Sequence, residues 1–565
     1  MNRKFKKILL QVAAVLLIAV MLPACGGSGT GEESSTSTDT STAVEGNEGV
    51  IEGTAATEPV DKVTVSLTTT TVDVSPFAPS TPSIIMKHQL YATMMQRPYY
   101  GAPLDECIPW IAKTVTKVDD SHYDIEIYDN IVDSQGNQIT ADDIVFSYEK
   151  SISDAQFVNG GTNMESITKT GDYTLQMVLK NTTPGVIEDL LTHQQLYIVD
   201  QGWYESATDE EKMNNPATTG PYKVKSFTSG AGATLEKVDN YWMDGMDTIP
   251  PAAVANAEEI VYKVITEPSM RVIALQNHEL DLSQINASDI STFYDLSTGQ
   301  PLEGWNVGIV DSNFAYCMFC NMDSGKSVLA DNVDLRKAVF TAIDPSEIML
   351  AAGNLESTSS TINTYGCPSM GGYQSKWDDE PYFDYDPDAA AGYLESAGYK
   401  QGEVTIRLLA SSALFNDSSI SVIVAELNQV DINVDPLIVD QALFSTYKND
   451  STQWDIMIDV KGAPSGHIVS MWNYAFDPSG YTNGSVCFTH DDQLVALLDE
   501  AMSKTDDASI DAFHSYLRDN AICRGLYTTK SVYVAQDGIL EMGWFNGSTL
   551  VPGDCTFSTT YVPAE

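Results

Sequence analysis

The sequence predicts an α/β protein, and three observations carry that prediction. From Val63 onward, short strand-like runs alternate with helical ones and no short-period repeat recurs, which favours an α/β body over a sandwich or a bundle. The chain has 565 residues, 43% of them hydrophobic. The roughly 500 that follow a polar leader exceed what one core organises, so two or three domains are expected. No stretch beyond the first 24 residues is long and apolar enough to span a bilayer.

The elements follow in chain order. "HYDIEIYDNI" (122–131) alternates like a half-buried strand. "TADDIVFSYEKSI" (140–152) predicts a helix with Thr140 as N-cap and two acids in its first turn, where the helix dipole favours them. Gly220-Pro221 predicts a turn before a strand. In "DLRKAVFTAID" (334–344), Leu335, Ala338, Val339, Ala342 and Ile343 fall on one helical stripe, and Arg336 is expected to pair with an acid of a neighbouring helix. Asp386-Pro387 predicts a helix start, with Gly398 as its stop. "VTIRLLA" (404–410) reads as a strand, "SSISVIVAELNQ" (418–429) as a helix, and "INVDPLIV" (432–439) and "WDIMIDV" (454–460) as strands.

The first 60 residues have a different chemistry. Arg3, Lys4, Lys6 and Lys7 precede a 14-residue apolar run, Ile8 to Met21, interrupted only by Gln11. That run is too short and wrongly flanked for a membrane span. Leu22-Pro23-Ala24-Cys25 then resembles the lipobox of bacterial lipoproteins, which implies a signal peptide over 1–24 and a diacylglycerol on the Cys25 sulfur. Residues 26–60 hold no aromatic and no Lys or Arg, so 25–60 is expected to be a disordered tether with ends roughly 30 Å apart. The body would then stand on a lipid anchor at the extracellular face of the cytoplasmic membrane, at the cell surface or in a periplasm.

Charge narrows the partners. The chain carries 30 basic and 78 acidic residues, and removing the first 24 residues leaves 26 basic ones and a net charge of −52. That field repels nucleic-acid phosphates and anionic head groups, so no nucleic-acid partner is expected. Beyond Cys25 the seven cysteines stand at 107, 317, 320, 367, 487, 523 and 555, an odd number without the spacing of a disulfide framework.

Five segments occur in a telling order: "QGNQITADDIVFSYEKS", "NNPATTGPYKVKSFTSGAGATLEKVDNYW", "RVIALQNHELDL", "DLRKAVFTAID" and "FDYDPDAAAGYLESAGYKQG". With Thr219-Gly220-Pro221-Tyr222 followed by Tyr241-Trp242, they resemble bacterial extracellular solute-binding protein family 5, receptors of peptide, oligopeptide and nickel ABC importers. The resemblance runs from about Val63 to at least Leu517. It implies a two-lobed, periplasmic-binding-protein-like clamshell of type II with an enlarged N-terminal lobe. Residues 61–310 and 530–565 would form that lobe and 311–529 the second. It further implies a monomer that captures a peptide-like solute and passes it to an ABC permease with its ATPases. An oligosaccharide or a chelated metal is the alternative solute, and a sensory or adhesive surface lipoprotein the alternative role.

No catalysis and no cofactor are expected. His-Glu-x-x-His, a phosphate loop and Gly-x-Ser-x-Gly are all missing, and seven scattered histidines offer no paired ligand spacing. Cys317 and Cys320 lie three apart in a strand-like run, so they point to opposite faces and read as buried thiols. Asp384, Asp386 and Asp388 imitate half a calcium loop, but Ala389 stands where that loop needs Gly and Pro387 lies inside it. A helix cap is the better reading.

The candidate binding segment is "DVKGAPSGHIVSMWNYAFDPSGYTNG" (459–484), a Gly- and Pro-rich loop directly after a strand. Loops at strand ends that face a cleft are where such folds bind. Its candidate ligand contacts are Lys461, His467, Trp472, Asn473 and Tyr474. Peptide-binding members of the family place an Asp nearby to hold the ligand's amine. Alignment on the Gly after the strand puts Gly466 there, and alignment on Asp477-Pro478 puts Tyr474. An ordinary peptide anchored by its amine therefore lacks its partner.

Overall fold

The computed structural model describes residues 53–565 apart from 71, 78–83, 154–162, 380–381, 401, 464 and 478–485. Cys25, the leader and most of the tether therefore lie outside the described residues, as does the end of the candidate segment. The tether expected through residue 60 stops earlier. Ala55 bridges Ser558, Ala56 N–H donates to Phe557 O at 2.8 Å, and Val60 already opens a strand.

The largest sheet has eleven strands. In chain order they are β1 (Val60–Leu67), β2 (Tyr222–Thr228), β3 (Gly232–Lys237), β4 (Ala257–Val264), β5 (Leu282–Ile285) and β6 (Trp305–Cys320). Then come β7 (Ser359–Thr361), β8 (Thr405–Ser411), β9 (Asn433–Val439), β10 (Ile456–Gly462) and β11 (Cys523–Gln536). They lie in the order β9-β8-β10-β6-β11-β5-β1-β4-β3-β2, with β7 on β11. Strands β6 and β11 pair antiparallel along nearly their whole length, with a register shift between Asp311 and Ala315. Both strands are buried at their two ends and surface in the middle, at 311–314 and 530–531. This pattern puts a narrow waist across the molecule.

Separate cores lie on either side of the waist. One side packs Trp110, Tyr148, Leu190 and Trp242 in one cluster and Val63, Tyr91, Tyr222 and Ile260 in another. The other side packs Phe319, Trp377, Trp454 and Trp472 on one face of the sheet and Tyr316, Val339, Ile406 and Ile458 on the opposite face. Alternation along β6 sends Cys317 to the first of these faces and Cys320 to the second, as their spacing requires. Burial pushes Cys320 up to about 12 and Cys317 well above the ordinary thiol value, which makes them unreactive thiols.

Local chemistry sets the remaining elements. The helices used below are α1 (Ala141–Ser153), α2 (Val186–Thr192), α3 (Val333–Thr341), α4 (Pro387–Ser396), α5 (Asp417–Gln429), α6 (Gln441–Tyr447) and α7 (Ile468–Phe476). Asp386 caps α4 by accepting the Ala389 N–H at 2.9 Å, and Gly398 follows its end at φ +89°. At α1 the Thr140 N–H and hydroxyl both donate to Asp143 Oδ2, at 2.8 and 3.0 Å. Arg336 on α3 finds no acid among the described residues. It donates instead to the carbonyls of Leu329, Ala330 and Asn520, so it ties backbone together rather than forming an ion pair. The Thr219–Tyr222 element is scaffold. Thr219 links Ala92 to Ile198, and Tyr222 donates its hydroxyl to Ala257 O at 2.7 Å.

Candidate functional site

The C-terminal end of β10 leads to a short loop, 463–467, and that loop is gripped by the other side of the waist. Arg97, only 3% exposed, donates from Nη2 to Ser465 O at 3.0 Å and to Gly185 O at 3.2 Å, and from Nη1 to Tyr100 O at 2.9 Å. The Ser465 hydroxyl donates to Pro184 O at 3.0 Å, and the Tyr100 hydroxyl donates to Ala463 O. Backbone meets backbone here because glycine allows it. A Cβ on Gly466, whose φ is +79°, would stand 2.5 Å from Arg97 Nη1 and 2.7 Å from Tyr100 O. Gly101 and Gly371 press together in the same way.

Part of the segment read as a Gly- and Pro-rich loop is helix. After Gly466 the chain forms α7, with the His467 side chain accepting the Val469 N–H at 3.2 Å. Ile468, Met471, Trp472, Ala475 and Phe476 recur at helical spacing and all face inward. This placement corrects the reading of Trp472 as a cleft contact. Its indole is fully buried, donates Nε1–H to Tyr365 O at 2.7 Å, and packs on Phe513 and Trp377 at centroid distances of 5.0 and 6.0 Å. On the outer side of α7, Asn473 is half-buried and Tyr474 is 48% exposed. His467 stands at the junction itself, with Gly371 and Gly372 against its ring. Lys461 lies two residues before Ala463 and pairs with Asp459.

Burial decides the charges around this junction. His467 is held down to about 4 by burial and then by Arg97, and His193 to about 3 by the same two causes. Both rings are therefore neutral at physiological pH. Asp189 on α2 is raised to about 7 by burial; Arg97 opposes the shift and Glu188 adds to it. Its Oδ2 is buried without a hydrogen bond, as are Glu188 Oε2 and Arg97 Nε. A carboxyl raised in the folded state favours protonation there. It costs nothing below the unfolded value near 3.8, lowers stability as pH climbs toward 7, and leaves that loss constant above. Asp189→Asn should therefore match the parent at pH 3.5 and exceed it at pH 8 by about 2–4 kcal/mol in denaturant melts. Equal stabilities at both pH values would refute the assignment.

Neither Arg97 nor Asp189 was singled out by sequence reasoning. The available signal was a lone arginine in an acidic chain, followed by Pro98-Tyr99-Tyr100-Gly101. A cavity of about 190 Å³ also opens at the ends of β1 and β5, between Ser66, Thr68, Gln284, Tyr533 and Thr549. That volume falls below the roughly 300 Å³ at which small-molecule pockets begin. Among the described residues no cluster of His, Cys, Asp and Glu is arranged to hold a metal, and no helix is long and apolar enough to cross a membrane.

Comparison with known proteins places this geometry. Residues 106–483 match the family described as bacterial extracellular solute-binding proteins, family 5 Middle. The oligopeptide-binding protein AppA of Bacillus subtilis strain 168 is 23% identical over 415 residues, covering 70% of this chain and 68% of that protein. The nickel-binding periplasmic protein of Escherichia coli K12 is 20% identical over 491 residues, 80% of this chain and 84% of that one. The solved structure of HbpA2 from Haemophilus parasuis superposes with a TM-score of 0.74 at 16% identity, over 88% of this chain and all of its own. The two-lobed solute-binding fold is thus this chain's fold.

Proposed function

Since the chain belongs to the bacterial extracellular solute-binding proteins of family 5, we propose that it captures a peptide-like solute between its lobes and delivers it to an ABC permease. The lobes of this reading are 61–310 with 530–565, and 311–529, divided at the waist of β6 and β11. The observation that carries it is the junction, where the 463–467 loop lies between Arg97, Tyr100 and Pro184. A junction where the two lobes meet supports retention of an enclosed ligand by domain closure, and strand-like pairing would hold an extended one. Lys461, His467, Asn473 and Tyr474 remain candidate contacts. No bond needs to be made or broken.

A non-peptide solute is the second reading, favoured by one observation. Gly466 and Tyr474 stand where an amine-holding acid is expected, and Asp459 is already engaged by Lys461. The nickel-binding name of one relative belongs to the same alternative. Native mass spectrometry of the mature protein as purified, followed by identification of what it releases, separates the two. A peptide mass at 1:1 supports the first, a sugar or a metal chelate the second. Loss of uptake of that solute in a deletion strain separates import from a sensory or adhesive role.

The anchor is part of the same reading. A Cys25→Ser variant should leave the membrane fraction and lose the mass of the lipid. A variant that stays membrane-bound at unchanged mass would refute lipidation at Cys25.

A further inference from the structure

On the β1 side of the waist the large sheet ends in the cavity of about 190 Å³. Register builds its floor. Val65 pairs with Leu282 and Gln284 with Tyr533, so Leu67, Gln284 and Tyr533 make one row across β1, β5 and β11. Alternation puts that row on the face of the sheet that also carries Val65 and Leu282. Ile84 and Ile85, at the start of a helix (Ile84–Leu90), wall one side. Thr549 and Leu550 wall another, in a short hairpin where they pair with Phe545 and Trp544. The Tyr533 ring packs edge to face on Trp544 at 5.1 Å. Glycine makes room for that indole. A Cβ on Gly308, the β6 partner of Tyr533, would stand 3.2 Å from Trp544 Cζ2.

The walls are apolar, but three of the lining residues carry uncommitted polar groups. Among the described residues, the Tyr533 hydroxyl, the Thr549 hydroxyl and Gln284 Oε1 make no hydrogen bond, although Tyr533 is only 8% exposed. Polar groups so enclosed normally have partners. Burial raises Tyr533 to about 12, so its hydroxyl is a neutral donor at physiological pH. No Lys, Arg, Asp, Glu or His lines the cavity, and a charged group would enter it without a counterion. Size narrows the occupant further. An apolar cavity of about 150 Å³ admits benzene, so this one takes a single six-membered ring with its substituent but not a whole solute. Its place is also that of a ligand. Strands β1 and β5 run parallel, and open α/β sheets bind at the C-terminal ends of such strands. Gln284 Nε2 lies 3.5 Å from Ser531 Oγ, where β11 surfaces at the waist.

Resting on the solute-binding reading above, we infer that this cavity is a specificity pocket for one uncharged aromatic ring of the bound solute, a phenol whose hydroxyl meets Tyr533, Thr549 and Gln284. Burial of the ring supplies affinity. The hydroxyl supplies discrimination, because a ring without it leaves the three polar groups unpaired under the ligand. The pocket thus selects a tyrosine side chain over a charged one.

The test has two arms, both on the mature protein. Ligand-detected NMR first compares p-cresol with 4-methylbenzoate, which carries a charge in place of the hydroxyl. p-Cresol should bind and 4-methylbenzoate should not, and Thr549→Phe, which fills the cavity from its rim, should abolish the p-cresol signal. Calorimetry then compares trialanine with three tripeptides that carry one tyrosine at successive positions among alanines. At least one should bind about tenfold tighter than trialanine. Tyr533→Phe removes only a hydroxyl and should weaken that peptide about fivefold, leaving its phenylalanine analogue unchanged. If no tripeptide binds while p-cresol binds in a Thr549-dependent way, the pocket stands and the peptide reading falls. No binding of p-cresol, equal binding of the two aromatic probes, no effect of Thr549→Phe, or tripeptides that bind without preference for tyrosine would each overturn the inference.

Discussion

A Trp472→Ala variant should lose about 3–5 kcal/mol of folding stability, because the indole fills the core of the second lobe. Three contacts set the scale. Phe513 and Trp377 pack on its faces, and its Nε1–H satisfies the buried Tyr365 carbonyl at 2.7 Å. Truncation empties a large volume among side chains that interlock around it and orphans that carbonyl, which alone costs about 1–3 kcal/mol. Protein that remains folded should bind its solute within about threefold of the parent, since the indole lies under α7 and not at the junction. Chemical denaturation alongside calorimetry reads both quantities. A strong loss of affinity with unchanged stability would move Trp472 into the cleft.

The second large effect belongs to Arg97. Its side chain bonds three carbonyls, one of which, Ser465 O, comes from the opposite lobe. Arg97→Ala leaves Ser465 O without its charged donor only while the lobes are together, because in the separated arrangement water replaces it. The substitution therefore shifts the balance toward separation by about 2–3 kcal/mol, the worth of hydrogen bonds from a charged donor. Small-angle scattering should show a larger radius of gyration for the variant, and solute affinity should fall by about 30-fold or more. Scattering and affinity both identical to the parent would remove Arg97 from closure.

Legibility in the sequence followed the range of the interactions. The α4 helix reads directly because its signals, Asp386-Pro387 and Gly398, act within a few residues. The strands β8, β9 and β10 and the helix α5 read within a residue or two for the same reason. Helix α7 escaped because Gly466 and Pro478 bracket it and suggest a loop, although Ile468, Trp472 and Phe476 recur every fourth residue. The same spacing puts Trp472 inside. The junction could not be read at all. Arg97 and Ser465 are 368 residues apart, and no local pattern relates them. The partner of Arg336 was misjudged because a buried guanidinium is satisfied as well by carbonyls at a helix end as by a carboxylate.

The central claim is that one solute is held by both lobes at the 463–467 junction. Hydrogen–deuterium exchange with and without the solute released from the purified protein tests it most directly. The account predicts that adding solute slows exchange together in 97–101, in 184–189 and in 463–467, segments from opposite sides of the waist. Slowing confined to one lobe, or to segments away from all three, would contradict it.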